Sequence, residues 1–284
     1  MSAIILDGRA LAKTMREELR AAIGEFRSST GKTPALAVVQ VAGDAASERY
    51  VRAIRKTCDD VGVAFVDRVL PADTQQAALE AAIAALSADE QVHGILVQMP
   101  LPNGLDAGGA IAQLDPRKDV DGVHPTSAGR LAQGLSSLVP NTPAGGMELL
   151  RRAGVALAGK RAVVVGRSNI VGKPMALLML AEHATVTIAH SRTPDLAALL
   201  READVVVAAV GRAGLITGAM LRPGAVVIDF GINVNAEGAV VGDVDFGSAA
   251  EVAGMITPVP GGTGPVTNMM LIRNVLQAAR EQKG

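Results

Sequence analysis

Cysteine and aromatic residues are scarce in this sequence. Its 284 residues include one cysteine, Cys58, one tyrosine, Tyr50, four phenylalanines and no tryptophan. A lone cysteine can form neither an intrachain disulfide nor a thiolate cluster for zinc or iron–sulfur, and we interpret Cys58 as a small buried hydrophobic residue. Few rings are available for stacking on bases, and a formal net charge of −1 does not attract a phosphate backbone. Nucleic acid is therefore not an expected partner.

A long apolar segment is also missing. No run approaches the roughly 18 apolar residues that a membrane-spanning helix needs. The N-terminus, "MSAIILDGRA", carries an acidic residue early and lacks the basic, apolar and cleavage regions of a secretory signal. The four histidines show no metal-ligand spacing. The sequence predicts a cytoplasmic protein with neither a membrane nor a metal as a partner.

What the sequence does contain is a repeated alternation of helices and strands. Apolar residues at helical spacing in "LAKTMREELRAAIGEF" predict a first helix, and "TPALAVVQVAG" is typical of a fully buried strand. A helix over residues 47–61 follows, then the strand "VAFVDRVL", the helix "TQQAALEAAIAAL" and the strand "GILVQM". Strands that alternate with helices usually pair in parallel, so the first half is predicted to be an α/β domain.

A change of composition at residues 136–146 marks the candidate domain junction, because "SSLVPNTPAGG" contains two prolines and two glycines. Four closely spaced apolar strands follow, "KRAVVVG", "ATVTIAH", "ADVVVAAVG" and "GAVVIDFG", and they indicate a doubly wound, parallel-sheet nucleotide-binding domain. The last segment is an amphipathic helix. We expect one domain over residues 1–140, a second over 141–267 and a C-terminal helix within 268–284, whose packing partner the pattern leaves open.

A glycine loop follows the first strand of the second half. Gly166 permits a tight turn, Gly172 permits close packing of the next helix, and Pro174 suits the first turn of that helix. The N–H groups at such a helix start can bind a pyrophosphate. Ser168 replaces the middle glycine of the usual G-x-G-x-x-G pattern, so the loop alone is equally consistent with an ordinary turn.

The end of the next strand favours NADP as the cofactor. Folds that prefer NAD usually place Asp or Glu here to bind the ribose hydroxyls, whereas this chain has "HSRT" over residues 190–193. Arg167, Ser191 and Arg192 can supply charge-assisted hydrogen bonds to a 2′-phosphate. The alternative, that both arginines are ordinary solvated side chains, stays open at this point.

Three more stretches carry candidate site residues: "GILVQMPLP", "DPRKDVDGVHPTSAGRL" and "TPVPGGTGPVTNMM". Gln98 directly follows a buried strand, at the edge where open α/β sheets bind ligands. It is either a ligand-binding residue or an ordinary polar residue at a strand end. Charged residues around Asp121 crowd a loop that is equally typical of a solvated turn. The glycines between Pro260 and Pro265 form either a loop that lies against a flat ligand or a sharp reversal.

Together and in this order, the stretches resemble the bifunctional methylenetetrahydrofolate dehydrogenase/methenyltetrahydrofolate cyclohydrolase family. The resemblance runs from "LDGRALA" to the last helix and includes "SERYV", "VQMPLP", "KDVDGVHP", "GRSNIVGKP", "ATVTIAHSRT", "DFGIN", "GDVDF" and "TPVPGGTGP". It implies an N-terminal α/β folate-binding domain and a C-terminal Rossmann-like NADP-binding domain with a cleft between them. It also implies that the last helix returns to the first domain and that the nucleotide domains build a homodimer.

The resemblance further implies roles for individual residues. Tyr50 stacks along the folate substrate, Asp121 binds the edge of its pterin, and Gln98 supports the acid/base centre. The other substrate-binding positions are Val97, Met99 and the loop that closes over the substrate, with Pro260, Gly261, Gly262, Thr263 and Gly264. The NADP-binding positions are Gly166, Arg167, Ser168, Ser191, Arg192 and Ile232.

The chain departs from this family at position 54. The family has a lysine four residues after the tyrosine, and that lysine carries the acid/base chemistry, but the residue here is Ile54. On a helix, positions 50 and 54 lie about 40° apart, whereas Lys56 is turned about 240° away from Tyr50 and is a poor substitute. A second departure, Asn141 where the family often has a cysteine, is expected to matter less.

The two reactions of the family differ in whether they require a proton-transferring side chain at position 54. Hydride transfer from the methylene bridge moves no proton at the reacting carbon, so Ile54 is compatible with it. Hydrolysis of the methenyl product needs a group that moves protons, which typically contributes about 10² to 10⁴-fold. The sequence predicts an NADP-dependent methylenetetrahydrofolate dehydrogenase with weak or absent cyclohydrolase activity. Two alternatives stay open: a fully bifunctional enzyme, in which Tyr50 with a water, Arg55 or Lys56 moves the proton, and a non-catalytic folate or nucleotide binder.

Overall fold

The structure, a computed structural model, describes residues 3–282. The helices in this part of the chain are α1 (Gly8–Thr30), α2 (Ala45–Val61), α3 (Gln76–Ala88), α4 (Ala107–Ala112), α5 (Pro125–Ala132), α6 (Asn141–Arg152), α7 (Gly172–Ala181), α8 (Leu196–Arg201), α9 (Phe246–Val252) and α10 (Thr263–Glu281). The strands are β1 (Ile4–Ile5), β2 (Ala35–Val41), β3 (Ala64–Leu70), β4 (Gly94–Val97), β5 (Arg161–Val165), β6 (Thr185–Ala189), β7 (Val205–Ala208), β8 (Val226–Asp229), β9 (Asn233–Val234), β10 (Val240–Val241) and β11 (Met255–Ile256). The main helices and strands of the sequence analysis are all present.

The chain divides into two compact units. One contains Thr14–Asn141 and the residues from Asn268 onward, and the other contains the residues up to Lys13 together with Thr142–Thr267. The N-terminal segment thus belongs with the second half of the chain, which no sequence pattern indicated. The reason is that β1 pairs in parallel with β11. We refer to the two as the first unit and the nucleotide unit.

The first unit contains a three-stranded parallel sheet in the order β3-β2-β4. Helix α2 carries the side chains that matter most here. The Asp44 carboxylate caps its first turn by accepting from the N–H of Ser47 at 2.8 Å, and Gly62 ends it in the left-handed conformation that glycine favours. Cys58 is buried on the inner face of this helix, as predicted, and burial raises the pKa of its thiol to about 12.

The nucleotide unit contains a six-stranded, all-parallel sheet in the order β1-β11-β8-β7-β5-β6. This is the predicted doubly wound arrangement. The chain passes from β5 outward to β6 and then back to β7 on the other side of β5, so the direction of winding reverses at β5. In open α/β sheets the ligand site lies outside the carboxyl ends of the strands at this reversal.

The predicted junction is only partly irregular. Residues 141–146 belong to α6, and the change from one unit to the other falls here, between Asn141 and Thr142. Pro143 lies in the first turn of the helix, where its missing N–H breaks no helical hydrogen bond. A Cβ on Gly146 would lie 2.5 Å from the ring of Phe230, so this glycine allows close packing rather than a turn. Composition alone does not distinguish these two uses of Pro and Gly.

Candidate active site

In the first unit, three segments bring the predicted substrate residues together. Gln98 follows β4, and its Nε2 donates to the hydroxyl of Ser47 in the first turn of α2 at 3.4 Å and to the carbonyl of Met99 at 2.6 Å. Asp119 forms an isolated parallel bridge with Ile95 of β4, which places the following loop beside the same strand. The carboxyl end of β4, the start of α2 and the loop of residues 119–122 therefore converge.

Within this group, the charge of Asp121 acts on the phenol of Tyr50. Tyr50 keeps 38% of its surface exposed, yet desolvation, with a smaller contribution from the Asp121 charge, raises the pKa of its phenol to about 12. Burial raises the pKa of the half-buried Asp121 carboxyl to about 7. The site thus combines a phenol that stays protonated with a carboxyl that titrates near neutral pH.

Asn141 also belongs to this site, although from the sequence it was expected to matter little. Its Nδ2 donates to Oδ1 of Asp121 at 2.9 Å and to the carbonyl of Val120 at 3.1 Å. The Nδ2 of Asn274 on α10 donates to Oδ1 of Asn141 at 2.9 Å and to the Val139 carbonyl at 2.9 Å. The only available sequence signal was the polar residue itself, at a position where the family often has a thiol.

Ile54 lies one turn after Tyr50 but is buried, with 1% of its surface exposed. The two proposed substitutes for the missing lysine lie elsewhere. The Arg55 guanidinium contacts the Asp67 carboxylate and lies 4.9 Å from the ring centroid of Phe65, so it is held on the outer side of β3. Lys56 is exposed to solvent. Neither residue therefore places its positive charge beside Tyr50, where a lysine at position 54 would lie.

The remaining predicted substrate residues lie in both units. In the first unit Val97 is buried and Met99 is exposed. In the nucleotide unit, Thr263 and Gly264 already belong to the first turn of α10, so the predicted loop is shorter than expected. A Cβ on Gly8 would clash with the carbonyl of Gly262, which explains the glycine in "LDGRALA" by close backbone packing.

The predicted cofactor loop lies at the winding reversal of the second sheet. Gly166 follows β5 with φ 134°, and a Cβ there would clash with the carbonyl of Ala209, which follows β7. Gly172 begins α7 and packs equally closely against the backbone of Gly166. The hydroxyl of Ser168 accepts from the N–H of Val171 at 3.1 Å, so it bridges the turn that lacks the middle glycine.

The residues expected to bind a 2′-phosphate follow two neighbouring strands. Val165 of β5 pairs in register with Ala189 of β6, so Arg167 and the 190–193 turn lie at the same sheet edge. Arg167, Ser191 and Arg192 are exposed, and within residues 3–282 no carboxylate forms a salt bridge with either guanidinium. Both charges are thus available to an anionic ligand.

A buried carboxylate, Asp243, organises the loop after β7. It is fully buried, and its oxygens accept from the N–H groups of Val210 at 2.6 Å, Gly211 at 3.0 Å and Arg212 at 2.8 Å. The same carboxylate accepts from Nδ2 of Asn233 at 2.9 Å, beside the exposed Ile232. One side chain therefore fixes two segments at the carboxyl edge of the sheet.

Asp229, at the end of β8, supports Asp243 in turn. Its carboxylate accepts from the N–H groups of Gly231 at 2.7 Å, Asp243 at 3.1 Å and Val244 at 2.9 Å. Burial nevertheless raises the pKa of Asp229 to about 6. The motifs "DFGIN" and "GDVDF" contain these two aspartates, but no local pattern indicated their role, because their partners are distant in the chain.

These features fit a dinucleotide. Gly166 and Gly172 let the turn before α7 pack closely against neighbouring backbone, and this turn lies at the N-terminus of a helix, the end that favours an anion. The first N–H groups of α7, those of Val171, Gly172 and Lys173, donate to the hydroxyl and carbonyl of Ser168. Arg167 and Arg192 add positive charge where an NAD site usually has an acid. Within residues 3–282, no group of His, Cys, Asp and Glu has the arrangement of a metal site, and no helix combines the length and apolar character needed to cross a bilayer.

Comparison with known proteins agrees with this architecture over the whole chain. Residues 6–121 match the model of the tetrahydrofolate dehydrogenase/cyclohydrolase catalytic domain, and residues 140–283 match that of its NAD(P)-binding domain. Bifunctional protein FolD of Roseiflexus castenholzii is 67% identical over 282 residues, which are 99% of this chain and 98% of that protein.

Solved structures give the same result. The FolD methylenetetrahydrofolate dehydrogenase/cyclohydrolase of Campylobacter jejuni is 40% identical, with a TM-score of 0.96 and 99% of both chains covered. The Trypanosoma brucei N5,N10-methylenetetrahydrofolate dehydrogenase-cyclohydrolase, solved with NADP cofactor and inhibitor, is 39% identical over 100% of both chains, with a TM-score of 0.93. The chain belongs to the tetrahydrofolate dehydrogenase/cyclohydrolase family.

Proposed function

We propose that this protein oxidises 5,10-methylenetetrahydrofolate to 5,10-methenyltetrahydrofolate with NADP, and that it hydrolyses the product to 10-formyltetrahydrofolate slowly or not at all. The proposed dehydrogenase activity is supported by family membership and by the positive charge of the nucleotide site. The proposed loss of hydrolysis is supported by Ile54, a buried apolar side chain one helical turn from Tyr50. A cytoplasmic location also stays a prediction.

The residues of the first unit suit a folate. Because its pKa is about 12, the Tyr50 phenol is neutral at physiological pH and can lie against a flat ring. The ionised Asp121 carboxylate can accept hydrogen bonds from the N–H groups of a pterin edge. Gln98, held by Ser47, adds a neutral amide. These groups bind and orient the substrate without moving a proton.

The nucleotide unit suits the phosphate groups of the cofactor. Ser168 and the start of α7 lie at the winding reversal, and Arg167, Ser191 and Arg192 can contact a 2′-phosphate. Bound NADP supplies the acceptor for the hydride that leaves the methylene carbon. The chain's own contribution to this step is orientation and exclusion of water.

Hydrolysis makes a different demand, since a water must lose a proton while a ring nitrogen gains one. Tyr50 is too weak an acid, Arg55 is held by Asp67, and Lys56 is exposed to solvent. Asp121 is engaged by Asn141 and, in this proposal, by the pterin. Within residues 3–282, none of these four groups is therefore free to replace the lysine of the family.

Following NADPH and methenyl absorbance separately in one reaction tests the proposal. Methenyltetrahydrofolate should accumulate in step with NADPH and then decay at the rate of the buffer alone. Faster decay would instead favour the fully bifunctional enzyme, the alternative supported by the name of the 67% identical relative. Ligand-dependent thermal stabilisation with no NADPH formed would indicate a binding protein without turnover.

The cofactor preference depends on Arg192. Arg192→Ala should lower kcat/KM with NADP by about 10- to 100-fold and leave kcat/KM with NAD nearly unchanged, because a charge-assisted contact to the 2′-phosphate contributes about 1.5–3 kcal/mol. Arg201→Ala, which removes an exposed arginine from α8, is the matched control and should change neither value. Equal losses with both cofactors would contradict the assignment.

We also propose a homodimer built through the nucleotide units. Strand β6 is an edge of the six-stranded sheet, and Ile188 on it keeps 40% of its surface exposed. Leu180 at the end of α7 is exposed as well. An apolar strand edge is a ready surface for pairing. Ile188→Lys should convert a dimer into a monomer in sedimentation equilibrium, whereas Val69→Lys, on the edge strand β3, should not. A monomeric wild type would refute this proposal.

A further inference from the structure

The orientation of the Asn141 amide is determined by partners at both of its ends. The side chain is 4% exposed, its Nδ2 faces two acceptors, the Val120 carbonyl and the Asp121 carboxylate, and its Oδ1 faces the N–H of Asn274. Exchanging the amide oxygen and nitrogen would set acceptor against acceptor and donor against donor. The amide therefore presents an N–H to Asp121 and not a carbonyl.

We propose that Asn141 is the positioning residue for Asp121, and that its amide holds the carboxylate beside Tyr50 in the ionised form that accepts from a pterin. The proposal deepens the proposed function and rests on it for the ligand, because Asp121 is the group assigned to the pterin edge. Asn274 acts one step further back, since it anchors Asn141 from α10.

The groups around Asp121 explain why a neutral donor matters here. Tyr50 faces it from α2, Asp119 from its own loop and Asn141 from α6. Within residues 3–282 no lysine or arginine forms a salt bridge with Asp121. Burial and the charge of Asp119 raise the pKa of Asp121, and the Asn141 hydrogen bond opposes them. Removing that bond should let the carboxyl take up a proton at a higher pH.

The composition of the chain supplies a specific probe. Tyr50 is the only tyrosine and there is no tryptophan, so fluorescence excited in the tyrosine absorption band, beyond that of phenylalanine, comes from Tyr50 alone. In ligand-free wild type the emission should change with a midpoint near pH 7, and Asp121→Asn should abolish this change. Asn141→Ala should raise the midpoint by about one pH unit.

Two further variants separate positioning from general damage. Asn141→Cys fills more of the space but donates weakly, so its midpoint should also rise, and it serves if the alanine variant does not fold. Ser127→Ala removes the hydrogen bond from a buried hydroxyl to Asp119 at 2.6 Å, in the same loop, without touching Asp121. The N–H groups of Val123 and His124 still hold the Asp119 carboxylate, so the midpoint should stay in place. An unchanged midpoint in both Asn141 variants, or an equal shift in Ser127→Ala, would overturn the proposal.

The pH dependence of KM for methylenetetrahydrofolate tests the role of Asn141 separately from the assignment of Asp121 to the folate. If both hold, the pH at which KM for methylenetetrahydrofolate rises should follow the fluorescence midpoint in wild type and in Asn141→Ala, with little change in kcat. If the fluorescence midpoint shifts but KM does not follow, Asn141 positions Asp121 as proposed, and the assignment of Asp121 to the folate is wrong.

Discussion

Ile54→Lys is expected to raise the rate of methenyltetrahydrofolate hydrolysis by about 10² to 10⁴-fold, the usual contribution of a positioned acid/base group. Position 54 follows Tyr50 by one helical turn and is 1% exposed. A lysine placed there would be desolvated, and desolvation lowers the pKa of an amine, which brings it closer to the pH at which it must exchange protons. The decay of methenyl absorbance in the absence of NADP measures this rate directly.

The matched control is Ile54→Met. Methionine keeps an apolar side chain of similar volume, a change that usually costs less than about 1.5 kcal/mol, and it has no proton to exchange. Hydrolysis should then stay at the buffer rate. A folded Ile54→Lys enzyme that also hydrolyses at the buffer rate would show that position 54 is not where this chain lost its proton carrier. Thermal unfolding of both variants establishes that they are folded.

Asp243→Asn is expected to lower the free energy of unfolding by about 2–5 kcal/mol and to weaken NADP binding at least about tenfold. Four donors converge on the two oxygens of this fully buried carboxylate. An asparagine would replace one oxygen with an NH₂ group, leaving two of these donors without an acceptor. The loop of residues 210–212 and the segment at Asn233 would lose their common anchor.

Thermal unfolding with and without NADP separates the two effects. A loss of stability with an unchanged NADP-induced shift would mean that Asp243 supports the fold but not the cofactor site. Asp245→Asn makes the same substitution two residues later, where the carboxylate is exposed and accepts from the Ser248 side chain at 2.7 Å, and it should behave like wild type. Wild-type stability in Asp243→Asn would contradict the role given to this carboxylate.

Local patterns predicted much of this molecule because they report local physics. The apolar spacing of α2, its Asp44 cap and its Gly62 terminus lie within 19 residues of chain, so the helix and the neighbouring positions of Tyr50 and Ile54 follow from the sequence. The glycine loop after β5 is similarly local. At residues 136–146 the prolines and glycines marked a candidate domain junction, but composition did not indicate that Asn141 begins a helix or that Gly146 packs against Phe230.

Contacts between distant segments could not be predicted in this way. Asn141 was undervalued because its partners, Asp121 and Asn274, lie 20 and 133 positions away. Asp243 was missed for the same reason, since the loop that it holds precedes it by 31 to 33 positions. Nor did any pattern indicate that β1 joins β11.

By itself the sequence determined the family, the two α/β halves, the apolar residue at position 54 and the positive charge at the nucleotide site. These are properties of residue identity and of short-range spacing. Only the tertiary structure decided that Ile54 is buried, that Arg55 is held by Asp67, and that a neutral amide faces Asp121. The physical reason is that sequence periodicity specifies which face of a helix or strand is buried. Which side chain of another element contacts that face depends on how the strands pair and the helices pack.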